Sequence, residues 1–118
     1  INFINSVEDA WEILSRIDRK NCGIMPDLFH MNIEDVHIGK GLARRNEMVK
    51  YIHFADSNRW APGQGHLDFD EVLDHLADAG WDGWVSIEIL PKPDPDTAAK
   101  QAADYMLPKI EAFNRRIR

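Results

Sequence analysis

Asp27 and His30 lie three residues apart in the segment MPDLFHMNIED, at the end of a short apolar run. Two later apolar segments, VKYIHFAD and GWVSIEIL, contain His53 and Glu88. Side chains of these types bind divalent cations or transfer protons, and each is also an ordinary polar group in a turn or at a strand end. Glu88 favours the binding of a cation over the role of an ordinary polar group. An unpaired carboxylate between two isoleucines of a buried strand is energetically costly, and a bound cation removes that cost.

The types of donor restrict the kind of metal. Asp27, His53 and Glu88 offer oxygen and nitrogen donors and no thiolate, which suits Mn²⁺, Mg²⁺, Co²⁺ or Zn²⁺ rather than a soft metal. Arg59 follows in a loop with Asn, Pro and two glycines, where a guanidinium is either a surface group or a fork for substrate oxygens. His66, later in this loop, either forms a turn or helps to orient the metal ligands from outside the coordination sphere.

Helix and strand signals alternate along the chain, which predicts an α/β fold. Strands that are separated by helices pair in parallel through right-handed crossovers. Asp27, His53 and Glu88 all fall near the carboxyl ends of predicted strands, where parallel folds build their sites. The predicted order begins with a helix capped by Ser6, a strand over 22–29, a helix over 39–47 and a strand over 49–56. A helix follows that begins in the capping box DFDE (68–71) and stops at Gly80. The chain then forms a strand over 83–90 and a last helix from about Asp96, which Pro108 should kink.

The composition indicates one domain in a reducing, aqueous compartment. Lys and Arg number 14 against 20 Asp and Glu, and the formal charge of −6 argues against contact with nucleic-acid phosphates. No apolar run approaches the roughly 20 residues that span a bilayer, and no leader opens the chain, so we expect a cytoplasmic protein with no membrane partner. Cys22 is the single cysteine, which excludes an internal disulfide. We expect Cys22, Trp81 and Trp84 to lie in the core.

Three segments, DLFHMNIED, YIHFADSNRWAPGQGHLDF and WVSIEIL, resemble the C-terminal half of the xylose isomerase-like (β/α)₈ TIM barrels. Within that superfamily, the chain is most similar to the sugar phosphate isomerase/epimerase group, which includes ketose 3-epimerases and hydroxypyruvate isomerase. The resemblance covers essentially all of residues 1–118. It implies that they form the barrel from about helix 5 to helix 8, and that the N-terminal half is absent from this chain, since a complete barrel needs about 250 residues.

The resemblance also implies roles for the polar residues. Asp27, His53 and Glu88 match metal ligands of the family, with Mn²⁺ the expected ion, and Glu88 matches the catalytic carboxylate that transfers the proton. His30 and Arg59 match the pair that contacts the substrate near its carbonyl end. The family's fourth ligand, a glutamate on strand five that is also the second proton-transfer carboxylate, would lie before the first residue of this chain.

The implied activity is that of a divalent-metal-dependent sugar isomerase or epimerase, which transfers a proton alpha to a ketone through an enediolate. The substrate would be a small ketose, keto-sugar or sugar phosphate. Because the strand-five glutamate is missing, residues 1–118 by themselves should be inactive. They should form a homo-oligomer or associate with the missing half of the barrel.

Three other functions stay open. An endonuclease IV-like DNA repair enzyme shares the Asp-x-x-His element, but it also needs an Asp-x-His pair that the loop SNRWAPGQGHLDF lacks. An inosose dehydratase-type lyase uses similar ligands. A non-catalytic half-barrel would serve only as a scaffold, which the presence of all five polar residues disfavours for the parent protein.

Overall fold

The computed structural model describes residues 3–118, and helices alternate with parallel extended segments over most of that range. This mixture confirms the predicted α/β class. The elements are α1 (Val7–Ile17), α2 (Leu28–Glu34), α3 (Ile38–Arg44), β1 (Tyr51–Phe54), α4 (Phe69–Asp78), β2 (Trp84–Ile87) and α5 (Pro95–Ile117).

Three extended segments run side by side in the same direction. β1 and β2 pair in parallel, with His53 opposite Ser86. The segment before α2 pairs with the β1 region through two single parallel bridges, Ile24 with Val49 and Asp27 with His53. Because all three segments are parallel, their carboxyl ends lie at the same edge of the sheet.

The predicted strand over 22–29 is wrong in extent, and α2 was not predicted. The chain stops being extended at Asp27, because the Asp27 side chain accepts hydrogen bonds from the backbone N–H groups of Phe29 (2.9 Å) and His30 (3.3 Å). Such bonds cap the first turn of a helix and favour helix over strand for the residues that follow. The apolar residues after Asp27 therefore belong to α2.

The other helices begin and end close to the predicted signals. Ser6 caps α1 in a reciprocal capping box, and Asp68 caps α4. Gly80 follows α4 with φ of 71°, a left-handed conformation that a residue without Cβ adopts easily. α5 begins at Pro95 and continues through Pro108. The kink expected at Pro108 stays a prediction. In the described part of the chain, no helix has the length and apolar character that crossing a membrane requires.

The core lies where the helices cover one face of the parallel segments. Ile52 and Phe54 of β1 are both fully buried on that face. Trp81 is buried there as predicted, and its indole N–H donates a hydrogen bond to the Val49 carbonyl (2.7 Å). A buried indole N–H needs such a partner, so this bond also fixes how the end of α4 meets β1.

Two residues that were predicted for the core are exposed. Trp84 is 79% exposed, because side chains alternate along β2 and it is Val85 that packs against the core. Cys22 is also exposed, since it precedes the first bridge at Ile24 and lies outside the packed segment.

Candidate metal and substrate site

Three predicted site residues meet at the carboxyl ends of the parallel segments. The bridge between Asp27 and His53 places these two residues side by side. The Glu88 N–H donates to the Phe54 carbonyl (3.1 Å), which brings Glu88 to the same edge. His53 Nδ1 lies 3.1 Å from Glu88 Oε2 and 3.8 Å from Asp27 Oδ2. One donor atom from each of the three side chains lies within 4.8 Å of the others.

Asp27 uses its two carboxylate oxygens differently. Oδ1 accepts the backbone hydrogen bonds that cap α2, whereas Oδ2 faces His53. The cap fixes the orientation of the carboxylate, so the start of α2 directs the second oxygen into the site. The short Asp-x-x-His spacing thus reflects a helix start that also positions a ligand.

Glu88 lies in the loop after β2, and its side chain is 49% exposed. The prediction that it stands inside a buried strand is therefore wrong, because β2 ends at Ile87. Arg59 NH2 donates a hydrogen bond to Glu88 Oε2 (3.1 Å), the same oxygen that contacts His53 Nδ1. These two groups, rather than burial, hold the carboxylate.

The two carboxyl groups have opposite pKa shifts. Burial raises the pKa of Asp27, and a hydrogen bond shared with Glu88 raises it further. The same hydrogen bond lowers the pKa of Glu88, and the nearby His53 ring and Arg59 guanidinium lower it further. Without a cation, the Asp27 carboxyl therefore takes up a proton more readily than the Glu88 carboxyl.

His30 and Arg59 lie beside the carboxylates. His30 Nε2 is 3.5 Å from Arg59 NH1, and the His30 side chain is exposed. The guanidinium carbon of Arg59 lies 5.2 Å from the centre of the Phe29 ring, a distance typical of a cation–π contact. The structure thus places this pair next to Glu88, at the open side of the site.

His66 lies in the loop between β1 and α4, where it bonds to Ser57. Its Nδ1 is 3.1 Å from the Ser57 hydroxyl, and its backbone N–H donates to the same oxygen (3.0 Å). Within residues 3–118, His66 makes its hydrogen bonds to Ser57, which supports a role for His66 in holding the shape of this loop. A role for His66 in orienting the metal ligands stays a prediction.

The arrangement fits a divalent cation. Ligand atoms that bind one ion at about 2.1 Å are separated by roughly 3 to 4 Å. The distances from His53 Nδ1 to the nearest oxygens of Glu88 and Asp27 are 3.1 and 3.8 Å. Two carboxylates and an imidazole are a donor set for Mn²⁺, Mg²⁺, Co²⁺ or Zn²⁺.

Asp56 has a place near the site that the sequence analysis did not predict. Among the charged residues of the described range, Asp56 is the one that is almost completely buried, with 1% of its surface exposed. Its carboxylate accepts hydrogen bonds from backbone N–H groups of the loop that carries Arg59. The signal in the sequence was an acidic residue between an apolar strand and a glycine-containing loop, whose backbone donors need an acceptor.

Comparison with known proteins identifies the relatives of the chain. The model of the family described as xylose isomerase-like TIM barrel matches residues 1–109. The D-psicose 3-epimerase of Ruminiclostridium cellulolyticum is 33% identical over 85 residues, which are 72% of this chain and 29% of that protein. The 3-dehydro-D-guloside 4-epimerase of Escherichia coli is 32% identical over 87 residues, which are 74% of this chain and 33% of that protein. The match thus spans about a third of the length of each of these relatives.

A solved structure of an L-ribulose 3-epimerase superposes on the chain with a TM-score of 0.89 at 22% identity. The superposition covers 98% of this chain and 45% of that protein, and it confirms that the α/β elements are those of part of a TIM barrel. In that fold, the carboxyl ends of the strands carry the site, which is where Asp27, His53 and Glu88 lie. With the family match over most of its length, the chain belongs to the xylose isomerase-like TIM barrel family.

Proposed function

We propose that the complete barrel that contains this chain is a divalent-metal-dependent sugar isomerase or epimerase. The observation that carries the proposal is the meeting of Asp27, His53 and Glu88 at the carboxyl ends of parallel segments, with Arg59 bonded to Glu88. The names of the two relatives are those of sugar epimerases, which supports a small ketose, keto-sugar or sugar phosphate as the substrate.

Asp27, His53 and Glu88 would hold the metal, and Mn²⁺ is the expected ion. When bound, the cation polarises the substrate ketone and so makes the neighbouring C–H group more acidic. Asp27 would bind the metal as an anion, since a carboxylate binds a metal in its ionised form. The cap of α2 would hold the Asp27 carboxylate in place for this role.

Glu88 would transfer the proton. Its lowered pKa keeps it ionised at neutral pH, so it can accept a proton from the carbon next to the ketone. The electron pair of that C–H bond then forms the C=C bond of an enediolate while the π pair of the C=O bond moves onto the ketone oxygen. Return of a proton to carbon reverses both shifts and restores a ketone. Epimerisation needs the proton to return on the opposite face, from a second carboxylate that would lie elsewhere in the barrel.

Arg59 and His30 would bind the substrate near its carbonyl end. Arg59 donates to Glu88 through NH2, while NH1 faces His30 at 3.5 Å, so both side chains are in reach of a molecule that approaches Glu88. A guanidinium stays charged at all relevant pH values and stabilises negative charge that develops on substrate oxygens.

The metal site is tested by replacing His53 with Ala in the complete barrel. The loss of this ligand should weaken Mn²⁺ binding by more than about 100-fold, because even the mutation of a residue outside the coordination sphere lowers metal affinity by about 10- to 100-fold. Elemental analysis after dialysis measures the bound metal. His37→Ala is the matched control, since His37 is exposed and makes no capping hydrogen bond with its side chain. Equal metal content in both variants would refute the assignment.

The reaction class is tested with Glu88→Gln in the same protein. A carboxamide cannot act as a base, so exchange of the ketose α-proton with solvent deuterium should slow by about 10²- to 10⁴-fold, which NMR measures. Glu111→Gln, at an exposed position of α5, is the control. Undiminished exchange in Glu88→Gln would show that another base acts. Nicking of abasic DNA by wild-type protein would favour the nuclease instead.

A further inference from the structure

The loop between β1 and α4 contains a buried carboxylate that no step of the proposed reaction uses. We propose that Asp56 is a positioning residue, which holds Arg59 in the conformation that reaches Glu88. This inference rests on the proposed function, because it assigns Arg59 to substrate binding. The Asp56 carboxylate accepts its hydrogen bonds from backbone N–H groups of the loop.

The Asp56 carboxylate joins distant parts of the loop. Oδ1 accepts hydrogen bonds from the N–H groups of Ser57 (2.8 Å) and Leu67 (3.0 Å), and Oδ2 accepts one from Gly63 (2.8 Å). These three donors come from the start, the end and the middle of the loop. Because Asp56 is almost completely buried, water does not compete for these bonds, and the loop has one preferred shape.

The backbone of Asp56 fixes the turn that contains Arg59. The Asp56 carbonyl accepts a hydrogen bond from the Arg59 N–H (2.9 Å), and the Asp56 N–H donates to the Trp60 carbonyl (3.0 Å). The Arg59 carbonyl in turn accepts a bond from the Leu90 N–H (2.8 Å), in the loop that carries Glu88. Arg59 is therefore tied to the loop and to the segment after β2.

Arg59 has a φ of 63°, in the left-handed region that costs an L-residue roughly 1–2 kcal/mol. Such a conformation persists only where the surrounding structure determines it. The hydrogen bonds centred on Asp56 supply that determination. If they are lost, Arg59 can relax to negative φ, and its guanidinium then leaves the position 3.1 Å from Glu88.

Charge supports the same assignment. Burial alone would raise the pKa of Asp56, but hydrogen bonds from the N–H groups of Leu67, Ser57 and Gly63 lower it by more. Asp56 is therefore an anion at neutral pH, and each loop donor has a charged acceptor. An Asn at this position keeps the size but turns an NH₂ group toward one of these donors.

Gly65 offers a second way to disturb the same carboxylate. A Cβ at position 65 would press on the carboxylate of Asp56 and the hydroxyl of Ser57. Gly65→Ala therefore perturbs the hydrogen-bonded group without removing its charge. Asp68→Asn is the matched control, since Asp68 caps α4 at the far end of this loop through a bond that an Asn also makes.

The test is a double-mutant cycle between Asp56 and Arg59 in the complete barrel loaded with Mn²⁺. Asp56→Asn and Gly65→Ala should each lower kcat/KM for a ketose by about 10- to 100-fold, the effect of a misplaced binding group, and bound Mn²⁺ should stay at the wild-type level. In an Arg59→Ala background, Asp56→Asn should cause no further loss, because the residue that it positions is gone. Asp68→Asn should behave as wild type.

Additive losses in the cycle, or loss of metal with Asp56→Asn, would overturn the inference, because Asp56 would then act through the fold as a whole. If Asp56→Asn does not fold, the same double-mutant cycle is measured with Gly65→Ala and Arg59→Ala, and its result tests the inference. If the wild-type barrel turns over no ketose, the proposed function fails. The NMR signal of the Arg59 Nε–H group then tests whether Asp56 positions Arg59. That signal should be dispersed in the wild type and move to the position of a solvent-exposed arginine in both loop variants; an unchanged signal would overturn the inference.

Discussion

At the scale of single residues, Asp27 joins a structural task to a proposed chemical one. One of its oxygens caps α2 and the other faces His53, so the two tasks can be separated by mutation. Asn is nearly as good a helix cap as Asp, whereas Ala makes no capping bond. Neither Asn nor Ala supplies an anionic ligand.

We therefore predict different outcomes for Asp27→Asn and Asp27→Ala. Both should lose Mn²⁺, because the anionic oxygen is gone. Only Asp27→Ala should also destabilise the start of α2, by about 1 kcal/mol. Amide hydrogen exchange of the first turn of α2, measured with EDTA present, distinguishes the two variants. Faster exchange in both, or retained metal in Asp27→Asn, would contradict this division of roles.

The candidate residues could be found from the sequence because their types and positions are local information. Asp27, His53 and Glu88 each follow or end an apolar run, and parallel pairing then brings the ends of such runs together. Asp56 could not be found in this way. Its importance depends on three backbone N–H groups that the folded loop brings to its carboxylate, and no spacing in the sequence displays them.

At the scale of elements, the order of helices and strands was largely predictable, and their lengths were not. α1 and α4 carry capping residues that determine where they begin, and these signals are local. The predicted strand over 22–29 failed because the cap at Asp27 outweighs the β propensity of the apolar residues beside it. The exposure of Trp84 depends on what covers the sheet, which strand propensity does not describe.

The loop after β1 provides a pH-dependent prediction at this scale. The pKa of Asp56 is lower in the folded protein than the value of about 3.9 expected in the unfolded chain, so its stabilising effect is fully present above that value. The effect is lost as the pH falls through the lower, folded-state pKa. In Asp56→Asn this contribution is missing at every pH, and unsatisfied loop donors should cost about 1–3 kcal/mol near neutrality.

Calorimetry of wild type and Asp56→Asn over a pH series measures this effect in the complete barrel. The difference in Tm should be constant above about pH 5 and should shrink below about pH 4. Asp68→Asn, which keeps its cap, is the control for the loss of a surface charge. A difference that grows as the pH falls would contradict the assignment of Asp56 as an anion.

At the scale of the whole molecule, residues 3–118 leave apolar surface uncovered on both sides of the parallel segments. A groove of about 760 Å³ lies between α1, the extended segment before α2, and α2 itself. A second groove of about 470 Å³ lies between β2 and α5. Trp84 is 79% exposed on the face of the sheet opposite the core. Surfaces of this kind mark places where protein packs on protein.

We predict that residues 1–118, expressed alone, do not form an active monomer. A pair of short strands has edges with unpaired N–H and C=O groups, which favour pairing with another chain. A small domain has only about 5–15 kcal/mol of net stability. Apolar surface in the two grooves stays in contact with water, so it does not contribute to this stability. Sedimentation at low micromolar concentration should therefore show self-association or aggregation, and addition of the remaining barrel half should reduce it. A compact monomer with a cooperative melt and ketose epimerase turnover would refute this prediction, because the site at Glu88 would then need no residue from outside the chain.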